Sequence, residues 1–184
     1  MINMRTIKYS FIIANLLLLL FTCCNPSNFK SDQVLTAILD KDAATISVFT
    51  GNKNKPILVQ NAKSGFRPYL HPIVAPDGKG LLTENSPEHH AHQTGLYWGF
   101  TRVNGKKMVI DSLMNFFYEP KTEEQKAIKG RDYFHNPGKE YWKRLSFDII
   151  DSIGKKVSWQ TVYFMLGVNG EPLMKETQVW PLEL

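Results

Sequence analysis

The folded part of this sequence lacks cysteine, because the only two cysteines among its 184 residues are Cys23 and Cys24. A disulfide framework needs cysteines spread through the domain, so we expect none here. Dense basic blocks are also missing. The 22 lysines and arginines and 17 acidic residues leave a net charge of +5 that is spread along the chain. This distribution argues against a nucleic-acid partner.

Long apolar runs are absent as well, apart from the segment between Phe11 and Phe21. That segment has about 11 residues, whereas a transmembrane helix needs about 20. Arg5 and Lys8 precede it. A short positive region followed by a short apolar core is typical of a signal peptide, so we predict one over residues 1–23.

The two cysteines directly after the leucine-rich run resemble a bacterial lipoprotein signal. We predict lipidation at Cys24, with Cys23 as the alternative site and an ordinary secretory peptide as the alternative interpretation. Residues 24–33 are polar and predict a flexible tether. The expected location is the cell envelope, periplasmic or at the cell surface, with the membrane contacted through the lipid alone.

From Val34 onwards, apolar residues alternate with polar ones or form short runs between glycine, proline and asparagine, a pattern typical of a β-rich domain. The 43% hydrophobic content fits one globular domain. We therefore predict an all-β domain, an antiparallel β-sandwich, over residues 34–184. The predicted strands are Ala44–Thr50, Pro56–Gln60, Phe66–Val74, Gly95–Val103, Leu145–Ser152, Lys156–Gly167 and Leu173–Trp180.

The last three predicted strands are joined by short turns and form a meander. Ser152–Lys155 predicts the first turn, and Asn169-Gly170 predicts a tight hairpin because it accepts positive φ angles. The chain ends directly after the last strand, so we expect an incomplete sandwich, truncated at its C-terminal end. An exposed sheet edge at Leu173–Trp180 follows from this expectation.

One charged segment, Glu119 to Gly130, interrupts the β pattern. Thr122 suits the N-cap position of a helix, so Glu123–Lys129 predicts a short capped helix, with a solvated loop as the alternative.

The densest polar segment is ENSPEHHAHQTG at residues 84–95, which holds His89, His90 and His92. If it is extended, His90 and His92 project to the same side. Two imidazoles on one face can transfer or orient a proton, or share a metal ion with a third ligand that the sequence does not identify. We predict His90 and His92 as catalytic residues of a polar cleft. The alternative is a histidine-rich surface loop.

Two further segments place charged side chains near an imidazole. In FRPYLHP, two prolines hold the chain extended, so Arg67, Tyr69 and His71 would point to one side and suit an anionic or hydroxylated ligand. In GRDYFHNPG, Asp132 lies close to His135 and can hold its tautomer. The alternatives are an edge strand whose Arg67 and His71 face water, and a turn that His135 caps.

The four tryptophans lie in strand-like segments, where they either fill a core or stack on sugar rings. They are Trp98, Trp142, Trp159 and Trp180. We predict a core position for Trp159, and both roles stay open for Trp98 and Trp142.

Four ordered blocks resemble one known family and together span Phe66 to Trp180. They read RPYLHPIVAPDG, HHAHQTGLYWGFTRVNG, GRDYFHNPGKEYWKR and WQTVYFMLGVNGEPLMKETQVW. They resemble the family DUF6807, which automatic labelling calls "methane oxygenase PmoA-like". The resemblance implies a β-sandwich with a His- and Arg-lined cleft, in exported or soluble bacterial proteins often encoded with carbohydrate-catabolic genes. The polar positions within matching motifs are Arg67, His71, His90, His92, Arg102, Asp132 and His135. Compared with the family, Lys106–Lys129 resembles an insertion.

Three functions are compatible with these patterns. The first is an exported lipoprotein that binds or processes a small, carbohydrate-derived ligand. The second is a non-enzymatic binding or structural module of the cell envelope. The third is the metal-dependent oxygen chemistry of the family label, which needs a multi-histidine or 2-His-1-carboxylate site that the sequence assembles only in part. The sequence identifies neither a metal site nor a cofactor. In the first function His90 and His92 act as acid/base or orienting groups, and the ligand-binding residues are Arg67, His71, Arg102, Asp132 and His135.

Overall fold

A computed structural model describes residues 34–51, 54–88, 90–106 and 120–184. The predicted signal peptide, the tether and Cys24 lie outside the described residues, as do His89 and residues 107–119 of the expected insertion. No helix in the described part of the chain is long and apolar enough to cross a membrane.

The chain is all-β, with two antiparallel sheets and, in the described ranges, one short helix. In chain order the elements are β1 (Leu35–Asp40), β2 (Thr45–Thr50), β3 (Leu58–Asn61), β4 (Tyr69–Ile73), β5 (Leu96–Tyr97), α1 (Glu123–Lys129), β6 (Trp142–Asp151), β7 (Ile153–Gly154), β8 (Lys156–Leu166) and β9 (Pro172–Glu183). The first sheet has the strand order β5-β4-β3-β2-β1-β7, and the second has β6-β8-β9.

The two sheets pack face to face through apolar side chains, as the alternating sequence pattern predicts. In β2, Ile46 and Val48 are buried while the residues between them are half-buried. They belong to a first apolar cluster that also contains Phe147 and Trp159 from the second sheet. Burial of apolar surface from both sheets stabilises this sandwich arrangement. Trp159 is 1% exposed, which confirms its predicted place in the core.

A second apolar cluster lies beside the first and is built from aromatic residues. Its buried members are Tyr133, Trp142, Tyr163 and Met165. The indole Nε1 of Trp142 donates to the Asn136 carbonyl oxygen at 3.0 Å, so this buried ring keeps its polar atom paired. The cluster anchors the turn that follows Tyr133 to the second sheet.

The predicted meander at the end of the chain is present. β8 lies in the middle of the second sheet, and within the described residues β9 pairs with β8 alone, which leaves its other side as the expected edge. Gly170 adopts a positive φ of 81° in the turn between them, consistent with the Asn169-Gly170 signal. At the preceding turn, Ile153–Gly154 instead forms the short strand β7, which pairs with β1 and so connects the two sheets.

Two strand predictions are wrong in extent, and two strands, β1 and β7, were not predicted. Gly95–Val103 is a strand only at Leu96–Tyr97, because the chain then bends and Arg102 takes a positive φ of 58°. Phe66–Val74 is a strand only over Tyr69–Ile73, since the Arg67 amide donates to the Pro137 carbonyl oxygen outside the sheet. The strand β1 was not predicted because the apolar residue Ile38 lies on its exposed side, which breaks the alternation of apolar and polar residues.

The charged segment contains the predicted helix. Thr122 is the N-cap of α1, its Oγ1 accepts from the Gln125 amide at 3.1 Å, and the Gln125 side chain accepts from the Thr122 amide, also at 3.1 Å. This reciprocal pair is a capping box. No residue of α1 is buried, so the helix lies on the surface of the sandwich.

Candidate functional site

Three imidazoles and a carboxylate form one contiguous cluster, which we call the histidine cluster: His90, His92, Asp132 and His135. The ring centroids of His92 and His135 are 4.8 Å apart, and those of His90 and His92 are 5.8 Å apart. His135 Nδ1 lies 2.8 Å from Asp132 Oδ2. The carboxylate therefore fixes one nitrogen of His135, and the ring of His135 contacts that of His92.

A tight turn after the second apolar cluster positions the acidic end of the histidine cluster. Asp132 Oδ1 accepts from the His135 amide at 3.1 Å, and Asn136 Nδ2 donates to the Asp132 carbonyl oxygen at 2.7 Å. The Asp132 side chain is only 2% exposed, and Lys129 Nζ lies 3.5 Å from its Oδ2. The local sequence thus holds a buried carboxylate against His135, as the proximity of the two residues predicted.

We expected the rings of His90 and His92 to share a side if their segment were extended. The structure shows that this segment is not extended. The Gln93 amide donates to the His90 carbonyl oxygen at 2.8 Å, and the His90 amide to that of Pro87 at 2.7 Å. The chain therefore makes successive tight turns. The turns nevertheless bring the rings of His90 and His92 into contact.

Arg67 lies in the interior, not in an open cleft, because its side chain is 0% exposed. Its Nη2 donates to the His92 carbonyl oxygen at 2.5 Å, and its Nη1 donates to the Phe134 carbonyl oxygen. The guanidinium also lies over the ring of Tyr97, 3.3 Å from the centroid. Arg67 therefore connects the two turns of the histidine cluster from beneath. The alternative prediction, that Arg67 faces water from an edge strand, is therefore wrong. Because Arg67 is buried, we assign it a positioning role in place of the predicted direct contact with a ligand.

The other two predicted ligand-binding residues lie apart from the histidine cluster in the contacts that the structure describes. His71 Nδ1 is 2.9 Å from Thr83 Oγ1, on the β4 side of the first sheet. Arg102 Nη2 donates to the Lys106 carbonyl oxygen at 3.2 Å. Since Arg67 is interior and His71 faces Thr83, the predicted row of Arg67, Tyr69 and His71 does not form one binding surface.

The electrostatic surroundings favour a neutral imidazole at His92. Partial burial lowers the pKa of His92 from its ordinary value, and the neighbouring His135 and His90 rings and the charge of Arg67 lower it further, while Asp132 acts in the opposite direction. A neutral imidazole offers one donor and one acceptor nitrogen. Burial also lowers the pKa of Arg67 to about 10, so its guanidinium remains charged at neutral pH.

The described residues do not provide the ligand set of a metal centre. No group of three or more histidine, cysteine, aspartate or glutamate side chains among them is arranged to hold a metal ion. We therefore derive no metal-dependent step.

The sequence matches the family of unknown function DUF6807 over residues 54–183. The chain belongs to the DUF6807 family. No curated protein and no solved structure matches it.

The DUF6807 match includes every residue of the histidine cluster and Arg67. Sequence reasoning missed two aromatic residues that complete their surroundings in this DUF6807 chain. The Phe134 ring lies 4.9 Å from that of His135 and 6.1 Å from that of His92, and the Tyr97 ring lies 5.1 Å from that of Phe134. Both residues lie in the sequence blocks that resemble the family. Their aromatic side chains, close in sequence to the histidines, are the feature from which a role in the site could have been predicted.

Proposed function

We propose that this protein is an exported lipoprotein of the cell envelope that binds or processes a carbohydrate-derived ligand at the histidine cluster. The observation that carries the proposal is the chain of contacts from buried Asp132 through His135 to His92. The signal-like residues 1–23 and Cys24 support the location.

An imidazole held by a buried carboxylate is suited to proton transfer. The Asp132 carboxylate engages His135 Nδ1 and so orients that ring against His92. Burial and the charge of Arg67 lower the pKa of His92, which favours its neutral form. Together the two rings can accept a proton from a hydroxyl group, or hold that hydroxyl by hydrogen bonds without reaction. The first outcome would make the protein an enzyme, the second a binding module.

The surroundings favour a ring-shaped, hydroxylated ligand over a strongly anionic one. A shallow pocket of about 410 Å³ lies beside the histidine cluster, whose four residues do not line it. Its wall contains the rings of Tyr97 and Phe134 and the polar side chains of Thr83, Glu84 and Gln93. Aromatic faces with a few hydroxyl and amide groups suit the two surfaces of a sugar ring. The buried guanidinium of Arg67 is committed to backbone carbonyl oxygens, which argues against a carboxylate clamp at this residue.

A thermal-shift screen of the full chain against neutral sugars, sugar acids and divalent metal ions tests this proposal. We expect a sugar or sugar derivative to raise the melting temperature of the wild type and to lose that effect in His92→Ala and His135→Ala. Lys143→Ala is the control, because Lys143 is an exposed residue of β6 outside both the cluster and the pocket, and it should keep the effect. If no compound in the screen shifts the wild type, or if the cluster variants respond like the wild type, the proposal is wrong.

A further inference from the structure

The inner face of β9 carries a polar stretch between the two apolar clusters. Met174 packs against the second cluster, and Trp180 packs against the first. Between them along the same face lie Glu176 and Gln178, both half-buried. A polar interruption at this depth of a sandwich costs stability unless the groups are bonded, so it calls for a physical explanation.

Three buried polar atoms on this face have no hydrogen-bond partner among the described residues. They are Glu176 Oε2, Gln178 Nε2 and Thr161 Oγ1. Thr161 is directly opposite Gln178 in the β8–β9 register, so their side chains lie on the same face of the sheet. Because almost all buried polar atoms in folded proteins are bonded, such a group is expected to meet a polar molecule from outside the chain.

An aromatic-lined cleft of about 720 Å³ gives access to this face. Its wall includes Trp98, Phe100, Glu176, Gln178 and Trp180. The Trp98 side chain is 61% exposed, although it meets the Phe100 ring edge to face at 6.2 Å. An indole left open to solvent at the wall of a cleft is available for stacking, which distinguishes it from the core tryptophans.

The hydrogen-bonding groups of the cleft are complementary to neighbouring hydroxyl groups. Trp180 Nε1 donates to Gln178 Oε1 at 3.2 Å, which orients the amide and leaves Nε2 as a donor. The Glu176 carboxyl supplies the acceptor two residues away on the same face. Burial raises the pKa of Glu176, and the adjacent Gln178 amide and the charge of Arg67 oppose that rise.

We propose that this cleft is a second binding site, which takes a hydroxylated sugar ring stacked on Trp98 with its hydroxyl groups bonded to Glu176 and Gln178. None of the residues lining the cleft belongs to the histidine cluster. The proposal therefore stands on separate residues and does not depend on the function proposed above.

The test is a fluorescence titration of the full chain with glucose, galactose, maltose and cellobiose, and with the open-chain polyol sorbitol. Of the four tryptophans, Trp98 is the exposed one, so a stacked ring should change its emission. We expect a saturable change with at least one ring sugar and none with sorbitol. Trp98→Ala also removes the reporting indole, so its binding is measured by calorimetry, where we expect no heat of binding. Glu176→Gln should weaken binding about tenfold, as loss of a central contact does.

Matched variants separate this site from general effects. Glu183→Gln removes an exposed carboxylate of the same strand, and Ile153→Ala removes an exposed apolar side chain outside the cleft; both should bind like the wild type. The proposal is overturned if no ring sugar gives a saturable change, if sorbitol acts equally, or if Trp98→Ala and Glu176→Gln both bind normally.

Discussion

Replacing Arg67 with methionine tests whether this buried cation holds the histidine cluster in place. Methionine has a similar length but no donor. The variant would leave the carbonyl oxygens of His92 and Phe134 without their guanidinium partner and would remove the positive charge that faces Glu176. We expect a large loss of stability, because buried acceptors and a buried carboxyl group would be left without compensation.

The magnitude follows from the contacts. Each hydrogen bond from a charged group contributes about 1.5 to 3 kcal/mol, and Arg67 makes two such close bonds, while those to Tyr133 O and Thr94 Oγ1 are long at 3.4 Å. The cost of burying the guanidinium, visible in its pKa of about 10, offsets part of this gain. We therefore expect Arg67→Met to lower the free energy of unfolding by about 3 kcal/mol, within the range found when buried ion pairs are broken.

Urea denaturation of the full chain measures this loss. With a slope of about 2 kcal/mol per molar urea, the midpoint should fall by about 1.5 M. Lys143→Met, which removes an exposed cation from β6, is the control and should leave the midpoint nearly unchanged. Arg67→Lys should give an intermediate loss, because one ammonium group cannot reproduce the two-armed geometry. A loss below about 1 kcal/mol in Arg67→Met would refute the positioning role.

Three further predictions concern separate groups. Because the pKa of His92 is lowered in the folded state, its contribution to stability is present above pH 6.5 and is lost as the pH falls through the folded value; thermal melts should show this loss in the wild type and less of it in His92→Ala. Burial raises the pKa of Glu176, so its contribution is present below pH 4.5 and lost as the pH rises; Glu176→Gln should therefore raise stability at neutral pH by about 1 kcal/mol, whereas exposed Glu183→Gln should not. Thr122→Ala should destabilise α1 locally by about 1 kcal/mol, seen as faster amide exchange in the helix, with a nearly unchanged global midpoint because α1 buries no residue.

Features set by neighbouring residues could be predicted from the sequence. The Asn169-Gly170 hairpin and the capping box at Thr122 depend on backbone preferences and on side chains three residues apart, and both are present. The contact between Asp132 and His135 is equally local. The family blocks also indicated the all-β fold and the membership in DUF6807.

Features set by distant residues could not be predicted in this way. Gly95–Val103 reads as a strand, yet the Phe100 carbonyl oxygen accepts from the amides of Tyr133 and Phe134, far along the chain, and not from a neighbouring strand. The sequence around Arg67 is typical of a surface cation. Its burial depends on hydrogen-bond partners that lie 25 and 67 positions later in the chain. The alternation of residues in β9 places Glu176 and Gln178 on one face of the strand. Only the packing of the two sheets reveals that this face lies inward.

The most direct test of the central claim is a titration of the full chain with its thermal-shift ligand, followed by NMR of the imidazole and indole signals. The claim is that His92 and His135 contact the ligand, with the buried indole of Trp159 in the first apolar cluster as an internal reference. The account predicts that the signals of His92 and His135 move in a saturable way while that of Trp159 stays in place. If the ligand binds and neither cluster signal moves, the histidine cluster is not the binding site.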